Sequence, residues 1–316
     1  MDVLGLDQFF ASGNNDPQNI YVCYSNLHAI QACLLSADAP GICLYSDAVS
    51  VEYLQQAFNG LIQPVDGRSG TLKDVLFFVL KAKKYQQSVN LFLGNKVGYA
   101  ALALLNQFPR HTLYLMDDGL AMYALSQQRP QPSSPFKVMI KRTIALMITL
   151  LRGTYFSGDA VASLDRQGVR LLLWPQLFSE HDAGVNCALI DKLGPVGTAK
   201  LEALRNIAIS ADKSIYVASY EKSLEIVAGA TLDCSYDEIL LHPRVSPSRN
   251  PIPLEIYLPQ YQQISMGMSS IILVLSYIGY RGHLVLDADP YTSWVMDKMS
   301  HSIDLPFSYR LLGSKP

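Results

Sequence analysis

Apolar runs of strand length alternate with helical patterns along most of the chain. "NIYVCY" (Asn19–Tyr24) predicts a strand, and "LHAIQACLLSA" behind it has helical spacing. "GICLYS" (Gly41–Ser46) predicts a second strand, followed by a helix over "SVEYLQQAFNGL". "TLKDVLFFVLKAKKY" reads as a helix with basic residues near its end, where the helix dipole favours cations. "VNLFLG" (Val89–Gly94) is a third strand, "GYAALALLNQF" a helix and "TLYLM" a fourth strand. Near-continuous apolar strands in a βαβα rhythm predict a parallel sheet covered on both faces.

The rhythm then breaks. "SQQRPQPSSP" reads as an exposed loop. "TYFSGD" and "VRLLLWP" suggest further strands, and the alternation resumes at "KSIYVASY". "SYDEILLHPR" reads as a helix end and a strand, and "ISMGMSSIILVLSYIGY" as a strand end, a turn and a helix. "GHLVLDADP" closes with a strand, and "YTSWVMDKMSHSI" reads as a last helix. The expected fold is α/β, with two doubly wound Rossmann-like domains facing across a cleft. They join between Gln128 and Trp174, and the division is set at 1–160 and 161–316.

A length of 316 residues allows two domains, and 49% hydrophobic against 16% charged residues allows sizeable cores. The formal net charge of −2 carries no nucleic-acid signature. Asp2 and Asp7 stand where a secretory signal would be basic, so a cytoplasmic chain is expected. Cys23, Cys33, Cys43, Cys187 and Cys234 show no CxxC spacing, and three of them fall in apolar patterns as small core residues.

Two segments raise the question of membrane contact. "FKVMIKRTIALMITLLRG" (136–153) is too short in its apolar part to span. With Lys137, Lys141, Arg142 and Arg152 it reads either as an interfacial helix on anionic lipid or as a buried or dimer-forming helix. The uncharged stretch Ile256–Tyr280 is long enough to span, but its Gln, Ser, Gly and Pro residues favour a buried strand-turn-helix.

Ligands of open parallel sheets bind beyond the carboxyl ends of the strands. Three polar clusters are expected there: Asp117-Asp118-Gly119, His242-Pro243-Arg244 and Ser269-Ser270. One aspartate would serve as a helix cap. A second, juxtaposed one suggests a carboxylate tuned toward general-base work, or a pair neutralised by a divalent cation. His242-Pro243 reads either as an ordinary turn histidine or, with the proline stiffening the turn, as an imidazole aimed at a phosphate with Arg244 near the same charge. Ser269-Ser270 reads as a helix cap or as an anion site at the helix start. "DADP" (Asp287–Pro290) is read as a strand-end turn and helix cap, with a metal site for a nucleotide-diphosphate sugar as the rival. No GxGxxG or GxxxxGK[ST] loop is present. His28 follows the first strand in "YSNLH" and is the histidine to watch.

Taken in order, "NIYVCYSNLHAIQACLL", "LYLMDDGLAMY", "ILLHPR" and "SMGMSSIILVL" resemble the motifs of the bacterial lipooligosaccharide sialyltransferases, glycosyltransferase family 52. Related motifs occur in bacterial polysialyltransferases. The matches run from about Asn19 to Leu275. Ser25-Asn26-Leu27-His28 replaces the family's Thr-Pro-Leu-Gln, and Leu120–Tyr123 also departs from its pattern. Both departures bear on acceptor choice, with Ser25, His28 and Gly119 as candidate contacts.

The resemblance implies a GT-B fold and a CMP-sialic acid donor, with inversion and no obligatory metal or cofactor. It implies a galactoside-type acceptor on a surface glycan, and hence a nucleotide sugar and a glycan or glycolipid as partners. Asp117 or Asp118 would be the base. His242, Pro243, Arg244, Ser269 and Ser270 would hold the donor, with His242 assisting the departing phosphate. Asp117 is favoured as the base because Asp118, nearer the glycine turn, is better placed to cap. The alternatives are a UDP-hexose donor on the same fold, and a non-catalytic glycan-binding or assembly subunit.

Overall fold

In the computed structural model, the described residues are 18–65, 85–94, 104, 107–108, 110–121, 123, 168–177, 185–207, 209–230, 236–242, 245 and 252–312. The helices expected over 71–85 and 98–108, the basic-apolar segment 136–153, the strand expected at "TYFSGD", Cys234, Pro243 and Arg244 fall wholly or largely outside them.

Seven strands form the first sheet: β1 (Gln18–Cys23), β2 (Gly41–Tyr45), β3 (Gly60–Pro64), β4 (Val89–Gly94), β5 (His111–Met116), β6 (Val169–Leu172) and β7 (Val185–Ala188). Their order is β3-β2-β1-β4-β5-β6-β7, and every neighbouring pair is parallel. The second sheet holds β8 (Ser210–Val217), β9 (Glu238–Leu240), β10 (Tyr261–Met266), β11 (His283–Asp287) and β12 (Ser308–Leu312). Its order is β12-β11-β10-β8-β9, again all parallel. Each sheet is wound outward in both directions from an inner strand, which gives the expected pair of doubly wound, Rossmann-like units.

The division expected at 160/161 is corrected by strand pairing. Strands β6 and β7 lie beyond it in sequence, yet they extend the first sheet from β5. The chain changes sheets only after Ala188. Six described strands and α-helices escaped the sequence reading. Strands β3, β7 and β12 are edge strands, short and in part exposed, so they lack a continuous apolar run. The others are the short helices Tyr220–Val227 and Leu254–Tyr257 and helix α3 (Pro195–Arg205), which lies between the two units.

Two-faced burial explains the continuous apolar strands. In β1, Ile20 and Val22 enter one core while Tyr21 and Cys23 enter another, and Leu91/Leu93 and Phe92 of β4 divide in the same way. Tyr21, Phe92 and Tyr114 occupy paired positions on three adjacent strands. Their rings stack at 4.6 and 4.7 Å between centroids. Such pairs contribute about 0.5–1.5 kcal/mol each beyond area burial. Cys23, Cys33 and Cys43 are buried free thiols, as the apolar patterns predict.

The other described helices are α1 (Asn26–Ser36), α2 (Val51–Ala57), α4 (Tyr220–Val227), α5 (Leu254–Tyr257), α6 (Ile271–Tyr277) and α7 (Pro290–Ser302). Helix α3 begins at Pro195, where the carboxylate of Asp38 accepts the Val196 and Gly197 N–H groups at 3.0 and 2.7 Å. At its other end Arg205 lies over the ring of Tyr277 in α6, tying the linker to the second unit. The Ile256–Tyr280 stretch is a helix end, β10 and α6, as its polar residues imply. No helix among the described residues is long and apolar enough to cross a membrane.

Candidate functional site

The strand order of each sheet reverses once. It turns between β1 and β4 in the first, and between β8 and β10 in the second. At such a reversal the connections diverge to opposite faces and leave a crevice at the strand ends.

The first crevice is occupied by His28. Ser25 caps α1 by accepting the His28 N–H at 3.4 Å, which places the imidazole in the first helical turn. The ring is fully buried against Gly94, the last residue of β4. A Cβ on Gly94 would stand 2.2 Å from the ring, so only glycine leaves room. The Tyr24 N–H donates to Nδ1 at 3.2 Å. Nδ1 is therefore the unprotonated nitrogen of the neutral ring, and Nε2 carries the hydrogen. Nε2 lies 3.2 Å from Oδ1 of Asp118, at ion-pair distance but bent away from hydrogen-bond alignment.

The two acids divide sharply. Asp117 has no exposed surface. Its Oδ1 accepts the Gly119 N–H at 2.8 Å, and its Oδ2 accepts the Leu173 N–H at 2.9 Å and the Tyr123 hydroxyl. Burial pushes its carboxyl up to about 6, while the Tyr123, Leu173 and Gly119 donors and the nearby His28 pull the other way. The side chain of Asp118 keeps 11% of its surface exposed. Asp117 caps the glycine turn, whereas Asp118 is the one of the two whose side chain keeps some exposed surface.

Three further residues hold this turn and were not singled out from sequence. Gln31, fully buried in α1, closes on the backbone of Asp117 from both ends of its amide. Its Oε1 accepts the Asp117 N–H at 2.9 Å, and its Nε2 donates to the Asp117 carbonyl at 2.8 Å. The Tyr123 hydroxyl accepts the Trp174 N–H at 3.0 Å, and the Trp174 indole N–H donates to the Leu273 carbonyl at 3.2 Å. A polar chain therefore runs from Asp117 into α6 of the second unit. The signal for Gln31 was present as a lone amide inside the apolar run "LHAIQACLL". Tyr123 and Trp174 look like ordinary core aromatics in sequence.

The acidic turn meets the paired serines. Gly119 has φ +79°, and a Cβ there would stand 2.1 Å from the Ser270 hydroxyl. That hydroxyl accepts the Leu120 N–H at 3.2 Å. Ser269 accepts the Ile271 N–H at 3.3 Å and so caps α6, although Ser270 is the residue at the cap position. The expected placement after β10 and before a helix is observed. Thus Ser25, His28, Asp117, Asp118, Gly119 and Ser270 form one connected cluster.

His242 stands apart in the topology, after β9, with β8 between that strand and β10. Its N–H donates to Ser223 Oγ at 2.8 Å, and its carbonyl accepts the Val245 N–H at 2.8 Å. Its ring packs edge-to-face with Tyr220, with centroids 5.6 Å apart. Asp289 of "DADP" caps α7, accepting the Tyr291 and Thr292 N–H groups and the Thr292 hydroxyl. Among the described residues, no three His, Cys, Asp or Glu side chains gather as a metal site.

No protein-family model and no curated protein matches the chain. Solved structures similar to it include an alpha/beta-galactoside alpha-2,3-sialyltransferase from the luminous marine bacterium Photobacterium phosphoreum. That match has 14% identity and a TM-score of 0.45, covering 94% of this chain and 99% of that one. The glycotransferase of kitacinnamycin matches at 11% identity and a TM-score of 0.46, covering 95% and 87%. The calicheamicin glycosyltransferase CalG4 matches at 14% identity and a TM-score of 0.39, covering 94% and 86%.

Proposed function

We propose that this chain is a metal-independent, inverting GT-B glycosyltransferase. In this reading it transfers sialic acid from CMP-sialic acid to a galactoside-type hydroxyl of a bacterial surface glycan. The observation that carries the proposal is the Asp118 carboxylate, which keeps a small part of its surface exposed 3.2 Å from the buried His28 and directly precedes Gly119, the residue that meets Ser270 of the second unit. A general base needs a carboxylate that a hydroxyl can reach and a neighbour that fixes its direction. Asp118 meets both requirements.

Asp118 would take the proton of the acceptor hydroxyl. The acceptor oxygen would attack the anomeric carbon through an oxocarbenium-like state, as in glycoside hydrolysis. The bond to CMP breaks with its electron pair on the phosphate oxygen. His242, with Pro243 and Arg244 next to it in the sequence, would meet that charge, and Ser269 would share its stabilisation. His28 and Asp117 act as positioning residues: the His28 ring is fully buried with Nδ1 held by the Tyr24 N–H, and Asp117 has no surface to offer a substrate. The site would work at the inner face of the cytoplasmic membrane, where nucleotide donors and glycan precursors meet.

A panel of nucleotide sugars, followed by nucleotide release with a galactoside acceptor and with or without EDTA, tests the reading. Release from CMP-sialic acid that EDTA leaves undiminished is the expected outcome. Turnover confined to a UDP-hexose, or strict dependence on a divalent cation, would overturn it.

A further inference from the structure

From the second sheet, and resting on the reading that the chain binds a nucleotide donor, we infer that the exposed ring of Tyr220 is the platform on which the donor's nucleobase stacks. The reversal between β8 and β10 places the crevice of this sheet between the loops that follow those two strands. The loop after β10 carries Ser269 and Ser270. The loop after β8 is only Ala218 and Ser219, and Tyr220 opens α4 directly behind it.

The ring stands in a held position. Ser219 caps α4 by accepting the Lys222 N–H at 3.3 Å. One turn on, the buried Ser223 hydroxyl donates to the Ser219 carbonyl at 2.7 Å and accepts the His242 N–H at 2.8 Å. The first turn of α4 and the His242 loop are therefore one unit, and the 5.6 Å ring contact between Tyr220 and His242 is part of it.

Tyr220 nevertheless remains 41% exposed. A large ring left open at the strand-end edge, beside the histidine proposed to meet the phosphate, has the chemistry of a stacking surface. Every nucleobase presents a π-face to such a ring, whatever its hydrogen-bonding edge. The remaining exposed apolar side chains of α4, Leu224 and Val227, follow at helical spacing away from the strand-end edge. They supply the rival occupant, a protein partner lying along the helix.

Calorimetric titration of the full chain with CMP and with ribose 5-phosphate, which lacks the base, separates these cases. Tyr220→Ala should weaken CMP about tenfold or more and leave ribose 5-phosphate unchanged, whereas Tyr220→Phe should stay within about twofold of wild type. Equal CMP affinity in wild type and Tyr220→Ala would overturn the platform while leaving the nucleotide reading intact. So would equal losses for both ligands, which would make the residue structural. Unchanged CMP binding together with a lower mass in light scattering would assign the ring to an interface between copies. A wild-type chain that binds neither CMP nor another nucleotide would remove the donor reading and this inference together.

Discussion

The two strand-end edges of this molecule are built in opposite ways. At the first sheet, His28, Gln31 and Asp117 are fully buried, and each meets a defined partner. At the second, Tyr220 is exposed and His242, Ser269 and Ser270 are only half-buried. Burial of polar groups is tolerated only when they are paired, so the first edge has to be complete before any ligand arrives. The second edge keeps its surface for whatever binds there. In the proposed reaction this division is useful. A base must be aimed in advance, whereas a donor site must open to water to load and release its nucleotide.

The sharpest way to break that contrast is to disarm the carboxylate of the first edge that keeps some exposed surface. Asp118→Asn should lower turnover by roughly 10²–10⁴-fold, the usual contribution of a general base. CMP affinity, a property of the second edge, should stay unchanged by calorimetry. A parallel loss of CMP binding would show that the edges are not separable in this way.

Removing the hidden scaffold should cost stability as well as rate. Gln31→Leu leaves the Asp117 N–H and carbonyl buried without their partners. It should destabilise the fold by about 1–3 kcal/mol in chemical denaturation. The rate constant should fall more than the acceptor KM rises, because the acid turn loses its aim rather than its affinity.

The effect confined to a pH window concerns Asp117. Its carboxyl is raised to about 6 in the fold, above its ordinary value of 3.8, chiefly by burial. A carboxyl that holds its proton more tightly when folded contributes most stability below its unfolded pKa and loses that contribution as pH rises through its folded one. The stability of the wild type relative to Asp117→Asn should therefore decline between about pH 4 and 6, by on the order of 3 kcal/mol, and then level off. Denaturation midpoints across that window would show a flat difference if the side chain were solvated instead.

Much of this architecture is legible in the chain. Strands buried on both faces must be apolar at successive positions, so "NIYVC", "VNLFLG" and "TLYLM" declare themselves. Edge strands carry no such demand, and β3, β7 and β12 are silent for that reason. The acid pair was visible because two charges directly after an apolar strand need an explanation. Their division of labour was not visible. Proximity to the glycine suggested that Asp118 would cap, but the shorter reach belongs to Asp117, whose Oδ1 folds forward onto the Gly119 N–H two residues on.

From sequence alone came the α/β alternation, the strand-end placement of the three polar clusters and the cap formed by Asp289. All of these depend on local period, or on a side chain meeting its own neighbouring backbone. Tertiary structure decided that β6 and β7 join the first sheet, that Gln31 grips a residue far along the chain, and that Ser270 meets Gly119. It also decided which aspartate faces water. Those outcomes arise from contacts between segments far apart in the chain, and burial, which separates the two acids, is a property of the packed whole.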